Sequence, residues 1–149
     1  MPGFAAIDRE GNSYEIDPAR VDALRAALRG TLLGANDAGY HESRALWNAM
    51  IDRRPALIAR TIGTDDVVSC VNFARETGIA VSMKGGGHNI AGLALAEGGL
   101  MIDCAQMRGA WVDPKGRIAH AQAGTVIAGS HTSTAGRDAS ASDRIFSRL

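Results

Sequence analysis

The stretch from Pro55 to Lys84 leaves this chain few architectures to choose from. "ALIART" (Ala56 to Thr61) is a short apolar run that ends in turn chemistry and predicts a strand. Thr64 follows at an N-cap position, with Asp65 and Asp66 in the first turn, where the helix dipole favours acids. Val67, Val71 and Ala74 recur at helical spacing with Val68 alongside, and Gly78 stands where a C-terminal glycine belongs. "IAVSM" (Ile79 to Met83) predicts the next strand. Strand, helix, strand with short connections is a βαβ unit, and its two strands should run parallel.

The flanks add to this unit. "IDPARVDALRAALRG" predicts a helix capped by Asp17, with Pro18 in its first turn, Gly30 at its end and Val21, Leu24 and Leu28 on one face. "LLGANDAGYHESR" reads as a Gly/Asn/Asp loop, and "ALWNAMIDRRP" as a short helix or turn that ends before Pro55. Downstream, "GLMIDC" predicts a further strand. "GAWVDPKGRIAHAQAG" predicts a hairpin, with one strand through Val112, a turn at Asp113 to Gly116 and a return from Arg117. The fold class is therefore α+β, a βαβ unit followed by further strands and a hairpin. The pattern decays beyond Gly124, leaving a tail at 125–149. The tail is rich in Ser, Thr, Ala and Gly with no sustained period, and is expected to be irregular or disordered and to be clipped first by proteases.

Composition excludes several function classes. Sixteen Lys and Arg balance sixteen Asp and Glu, so no basic field argues for nucleic acid. Aromatics make up 5%, too few for base-stacking platforms. No apolar run approaches a membrane span, and "MPGFAAIDRE" has neither a basic start nor a long apolar core for a secretory signal. Cys70 and Cys104 form no CxxC, which suits free thiols in a reducing cytoplasm; Cys70, inside a helical apolar pattern, is expected to be a buried small hydrophobe. His41, His88, His120 and His131 are scattered without metal-ligand spacing, so no metal is expected.

The chemistry concentrates in "VSMKGGGHNIAGLA", which follows the second strand. A loop at the carboxyl end of a strand in a βαβ sheet is a common ligand site. Bare glycine backbone lets successive N–H groups converge on an anion, and Lys84 adds positive charge beside it. A phosphate or pyrophosphate is the natural guest; a tight structural turn is the other local reading. GxxxxGK[ST] is absent, and GxGxxG fails at Ile90. There is no GxSxG elbow to make His88 part of a hydrolase. Asp103 is a candidate carboxylate partner for His88 in acid–base chemistry, although sequence alone does not bring the two together.

"MKGGGHNIAGLALAEGGLMIDCAQMRGAWVDPKGRIAHAQAG", with the preceding "RPALIARTIGTDDVVSCVNFARETGIAV", resembles the FAD-binding domain of the vanillyl-alcohol oxidase and p-cresol methylhydroxylase (PCMH) superfamily, most of all its berberine-bridge-enzyme-like group. The resemblance covers roughly Tyr40 to Gly124, which implies three regions: an N-terminal helix and loop at 1–39, a partial FAD-binding domain at 40–124, and the tail at 125–149. It implies a PCMH-type FAD-binding domain, here incomplete, and an FAD-dependent oxidoreductase acting on a small molecule in its full-length form. The equivalent loop of the family wraps the FAD pyrophosphate through backbone N–H groups. Gly85, Gly86 and Gly87 match it, with Lys84 where a basic residue is usual, and a positive φ at Gly86 would suit the close approach. His88 matches the histidine that many members join covalently to the flavin 8α carbon. Asn89, Ala91 and Gly92 continue the cofactor-contacting loop. The group's second attachment point is a cysteine that neither Cys70 nor Cys104 matches, so at most one covalent link is implied.

The family continues past its "QAG" with a helix, further glycine-rich contacts and a substrate domain that carries the catalytic base. Here "TVIAGSHTSTAGRDAS" follows instead, an abrupt change of character such as a truncation or frameshift would give, and no catalytic residue can be named. The expectation is a chain that supplies the pyrophosphate loop and the attachment histidine, and that is inactive alone. The competing readings are a non-catalytic nucleotide-binding remnant and a structural module whose glycine loop is only a turn.

Overall fold

The computed structural model describes residues 4–125. The elements are β1 (Phe4–Ile7), β2 (Ser13–Ile16), α1 (Pro18–Ala27), β3 (Thr31–Gly34), α2 (Tyr40–Arg44), β4 (Leu57–Arg60), α3 (Thr64–Thr77), β5 (Val81–Lys84), β6 (Leu100–Asp103), β7 (Ala110–Asp113) and β8 (Ile118–Ala121). The central sheet has the order β3-β4-β6-β5. β3 lies antiparallel to β4, while β4 and β5 both run parallel to β6. The two strands of the βαβ unit are therefore parallel, but they are not neighbours, because β6 inserts between them. Two antiparallel hairpins, β1-β2 and β7-β8, complete the described chain.

Alternation along the strands divides the interior in two. Leu57, Ala59, Leu100 and Ile102 face a core shared with Val21, Leu24, Leu28, Cys70, Phe73 and Ala74 from α1 and α3. Ile58 and Met101 face a smaller core with Leu33, Tyr40 and Leu95. Burial of these side chains is the main source of stability, at about 1.5–3 kcal/mol for each large apolar residue removed from water.

The expected first helix forms. Asp17 caps it by accepting the Ala19 N–H at 2.9 Å, Pro18 opens it, and it ends at Ala27 rather than at Gly30. In α3 the αL residue Gly78 (φ 78°) closes the helix as anticipated. Other features depart from expectation. Gly63, not Thr64, is the N-cap, and no side-chain cap bond is made there. The buried stripe is Cys70, Phe73 and Ala74 with Val67 partly covered, whereas Val68 and Val71 are half exposed. Phe73 is large enough to set the rotation of the helix onto α1 and the sheet, and this turns Val71 outward.

The Gly/Asn/Asp loop before Tyr40 contains β3. Leu32 and Leu33 point to opposite cores, and four residues are too few to show a period. "ALWNAMIDRRP" is irregular, with a turn closed by Ile51 N–H to Asn48 O at 3.1 Å. The β1-β2 hairpin is a further element without a sequence-level forecast. The return strand of the second hairpin starts at Ile118, because Arg117 adopts φ 57° inside the turn. The expectation for the tail after Thr125 lies outside the described residues.

Candidate functional site

Parallel β4, β5 and β6 end at one edge of the sheet, where Arg60, Asp103 and Lys84 stand in one row of register partners. α3 also begins at this edge, directly after β4. Asp66, in its first turn and 1% exposed, accepts N–H bonds from Arg29 (2.8 Å), Gly30 (3.2 Å) and Ile62 (2.9 Å). One carboxylate thus ties the end of α1 to the loop that follows β4. Burial alone would raise the Asp66 pKa; the three donors and the Arg29 charge outweigh it and hold the carboxyl below the usual aspartate value.

The glycine loop leaves β5 at the same edge. Gly85 is half buried, and any side chain there would run into the Ala123 carbonyl oxygen, so the Gln122 to Gly124 segment lies directly against it. Gly87 is buried at φ 76°, so the left-handed backbone of the triplet falls at Gly87 rather than Gly86. Among the described residues, the N–H groups of Gly85, Gly86, Gly87 and His88 donate to no protein acceptor. Gly86 and His88 are exposed and open to water, but half-buried Gly85 and buried Gly87 carry donors of a kind that is normally paired. A run of unused donors at the carboxyl edge of a parallel sheet is the arrangement that receives an anion.

The rest of the loop is braced from the segment between Arg44 and Arg54. Trp47 N–H donates to Gly87 O at 3.2 Å, and Asn48 Nδ2 to Ile90 O at 3.3 Å. Arg53 Nη1 donates to Gly92 O (3.4 Å) and Leu95 O (3.1 Å). Asn89 closes its own turn, accepting Leu93 N–H on Oδ1 at 2.9 Å and Gly92 N–H on its carbonyl at 3.2 Å. Gly92 (φ 72°) is pressed on Ile51, while Ala91 and Asn89 face outward. This bracing segment has no sequence signal of its own, since nothing in its irregular run marks it as the partner of a loop some forty residues later.

His88 is exposed, with its ring centroid 6.5 Å from that of the exposed Trp47. Asp103 does not serve it. The Asp103 carboxylate accepts Ala105 N–H at 3.0 Å and lies 3.9 Å from Lys84 Nζ. Lys84 is only 8% exposed, and its ammonium donates to Ser43 O beneath the loop. The remaining described histidines are elsewhere: His41 Nδ1 accepts from Arg44 Nε, and His120 stacks on Trp111 with centroids 4.9 Å apart. Among the described residues, no three His, Cys, Asp or Glu gather as a metal site, and no helix is long and apolar enough to cross a membrane.

Parallel strands that end beneath a glycine loop, with N–H groups unused among the described residues, place this loop where ligands commonly sit in sheets of this class. The chain belongs to the FAD binding domain family, which it matches over residues 55–139. It is 31% identical over 104 residues to (R)-6-hydroxynicotine oxidase of Paenarthrobacter nicotinovorans, covering 70% of this chain and 23% of that protein. The crystal structure of 6-hydroxy-D-nicotine oxidase from Arthrobacter nicotinovorans superposes with a TM-score of 0.68 at 28% identity, over 73% of this chain and 24% of that one. Xylooligosaccharide oxidase from Myceliophthora thermophila has the same fold, with a TM-score of 0.70 at 24% identity over 80% of this chain and 25% of that one. The architecture is that of a PCMH-type FAD-binding domain, and the chain spans about a quarter of the length of these relatives. The residues present fit FAD: among the described residues the N–H groups of Gly85 to His88 are unused, and no side chain of the triplet stands over them.

Proposed function

We propose that this chain provides the pyrophosphate-binding and flavin-attachment part of an FAD-dependent oxidoreductase that acts on a small molecule. The observation that carries the reading is the run of N–H groups from Gly85 to His88, without a partner among the described residues, at the carboxyl edge of the parallel sheet. These donors hydrogen-bond phosphate oxygens with no side chain in the way. Exposed Asn89 and Ala91 continue the contact surface, buried Gly92 shapes the turn that presents them, and Lys84 belongs to the same site. His88 holds an exposed imidazole beside the loop, where one ring nitrogen is available to carry the flavin through its 8α carbon. Bound FAD supplies two-electron redox chemistry, and the protein supplies its placement. The free, buried thiols Cys70 and Cys104 support a reducing compartment such as the cytoplasm.

The test is FAD titration followed by flavin fluorescence. Gly86 is exposed between its two neighbours, so Gly86→Val keeps the sheet but places a branched side chain over the donors. Loss of binding with an unchanged far-ultraviolet circular dichroism spectrum supports the reading. Equal flavin affinity in Gly86→Val and wild type would make the loop a plain turn.

A further inference from the structure

We infer that Lys84 is a positioning residue, which sets the shape of the glycine loop and acts on a bound phosphate only through that shape. The inference rests on the FAD reading above and assigns the lysine a different part from its glycine neighbours. Its side chain passes under the loop rather than along it. Nζ donates to the carbonyl of Ser43, near the end of α2, and lies 3.9 Å from Asp103 Oδ2. Lys84 is 8% exposed and Asp103 5%. A buried ammonium persists only where partners replace water, and here a carbonyl and a carboxylate do so. An ammonium drawn out to meet a phosphate would leave the Asp103 carboxylate buried without a counterion.

The contacts close a ring. Lys84 holds the Ser43 carbonyl; four residues on, the Trp47 N–H holds the Gly87 carbonyl at 3.2 Å; and Gly87 returns to Lys84 through Gly86 and Gly85. The lysine stem lies beneath Gly87, close enough that a Cβ there would sit 3.5 Å from Lys84 Cε. The ring pins the positive φ of Gly87, and in that conformation the N–H groups of Gly85 to His88 have no acceptor among the described residues.

Two measurements decide this. In the FAD-free chain, amide hydrogen exchange is compared between wild type and Lys84→Met. Loss of the anchor should accelerate exchange at the Trp47 N–H about fivefold to tenfold, the equivalent of one hydrogen bond, with exchange from Val67 to Ala74 unchanged. In FAD titrations at low and high ionic strength, Lys84→Met should bind more weakly with the same salt dependence as wild type. Adding Asp103→Asn should return part of the lost affinity, since the stranded buried carboxylate is then neutral. Unchanged Trp47 exchange, or a salt dependence that disappears with the lysine, would overturn the inference in favour of direct contact with the phosphates. If the chain takes up no FAD at all, the FAD reading fails, while the exchange comparison still decides the role of Lys84. If Lys84→Met does not fold, Lys84→Arg, which keeps the charge but moves its donors, is read by the exchange comparison alone: faster Trp47 exchange supports the anchor and unchanged exchange overturns it.

Discussion

At the scale of single residues, His88 and Asp66 make opposite demands. His88 is exposed and among the described residues its ring meets only that of exposed Trp47, with no hydrogen bond, so its removal should leave the fold untouched. With FAD supplied to protein completed to the length of its relatives, wild type should keep yellow, fluorescent flavin through acid precipitation. His88→Ala should bind FAD and release it on acid treatment; acid-releasable flavin from the completed wild type would remove the covalent link and leave the FAD site standing. Asp66 is the structural counterpart. Asp66→Asn replaces an acceptor of three N–H bonds by a group that is half donor, and should cost about 1–3 kcal/mol of stability at neutral pH. Because the folded-state pKa lies below the unfolded value, this contribution is fully present above the unfolded pKa near 3.8 and fades as the pH falls through the folded value. Urea midpoints of wild type and Asp66→Asn should therefore converge in acid, and a constant gap down to the lowest folded pH would show that the charge is irrelevant. Cys70 belongs with Asp66: burial first, then the Asp66 charge, pushes its thiol up to about 12, so alkylation should wait for unfolding.

At the scale of elements, α3 shows what the sequence conveys and where it stops. Its existence, its acidic first turn and its glycine end are local properties, and all three were legible. Its rotation was not, because valines at 67, 68 and 71 and the set Cys70, Phe73 and Ala74 describe two overlapping stripes. Only packing against α1 and the sheet chooses between them. Phe73→Ala should therefore cost about 3–5 kcal/mol, while Val71→Lys should stay within about 0.5 kcal/mol, as chemical denaturation can measure. The strands of the βαβ unit were legible from apolar runs, whereas β3 was hidden by its length and β1-β2 by weak alternation. The glycine loop was visible as composition. Its braces, Trp47, Asn48 and Arg53, were invisible, because their meaning lies in backbone carbonyls that only the folded chain brings near. The β7-β8 hairpin was read correctly from its turn, yet almost all of its residues are exposed. A two-stranded ribbon on its own is marginal in water, so its amides should exchange well before those of β4 and β6.

At the scale of the whole molecule, the insertion of β6 between β4 and β5 orders events in time. β3 and β4 are antiparallel neighbours and can pair as soon as both exist. β5, though made next, pairs with no strand of the central sheet except β6, whose last residue is Asp103. While a ribosome is still adding the residues between Lys84 and Leu100, the chain carries a finished helix and an unpaired strand, with one face of each still lacking the layer that will cover it. Closing the sheet then pairs segments far apart along the chain, the slow kind of contact. Nascent chains arrested with only Gly99 emerged should thus be cut by protease throughout Val81 to Lys84, while chains arrested after Thr125 has emerged should resist there. Equal protection at both lengths would mean that β5 finds a partner before β6 is made. The glycine loop, hung on β5, cannot take its shape until the last of the parallel strands has been synthesised.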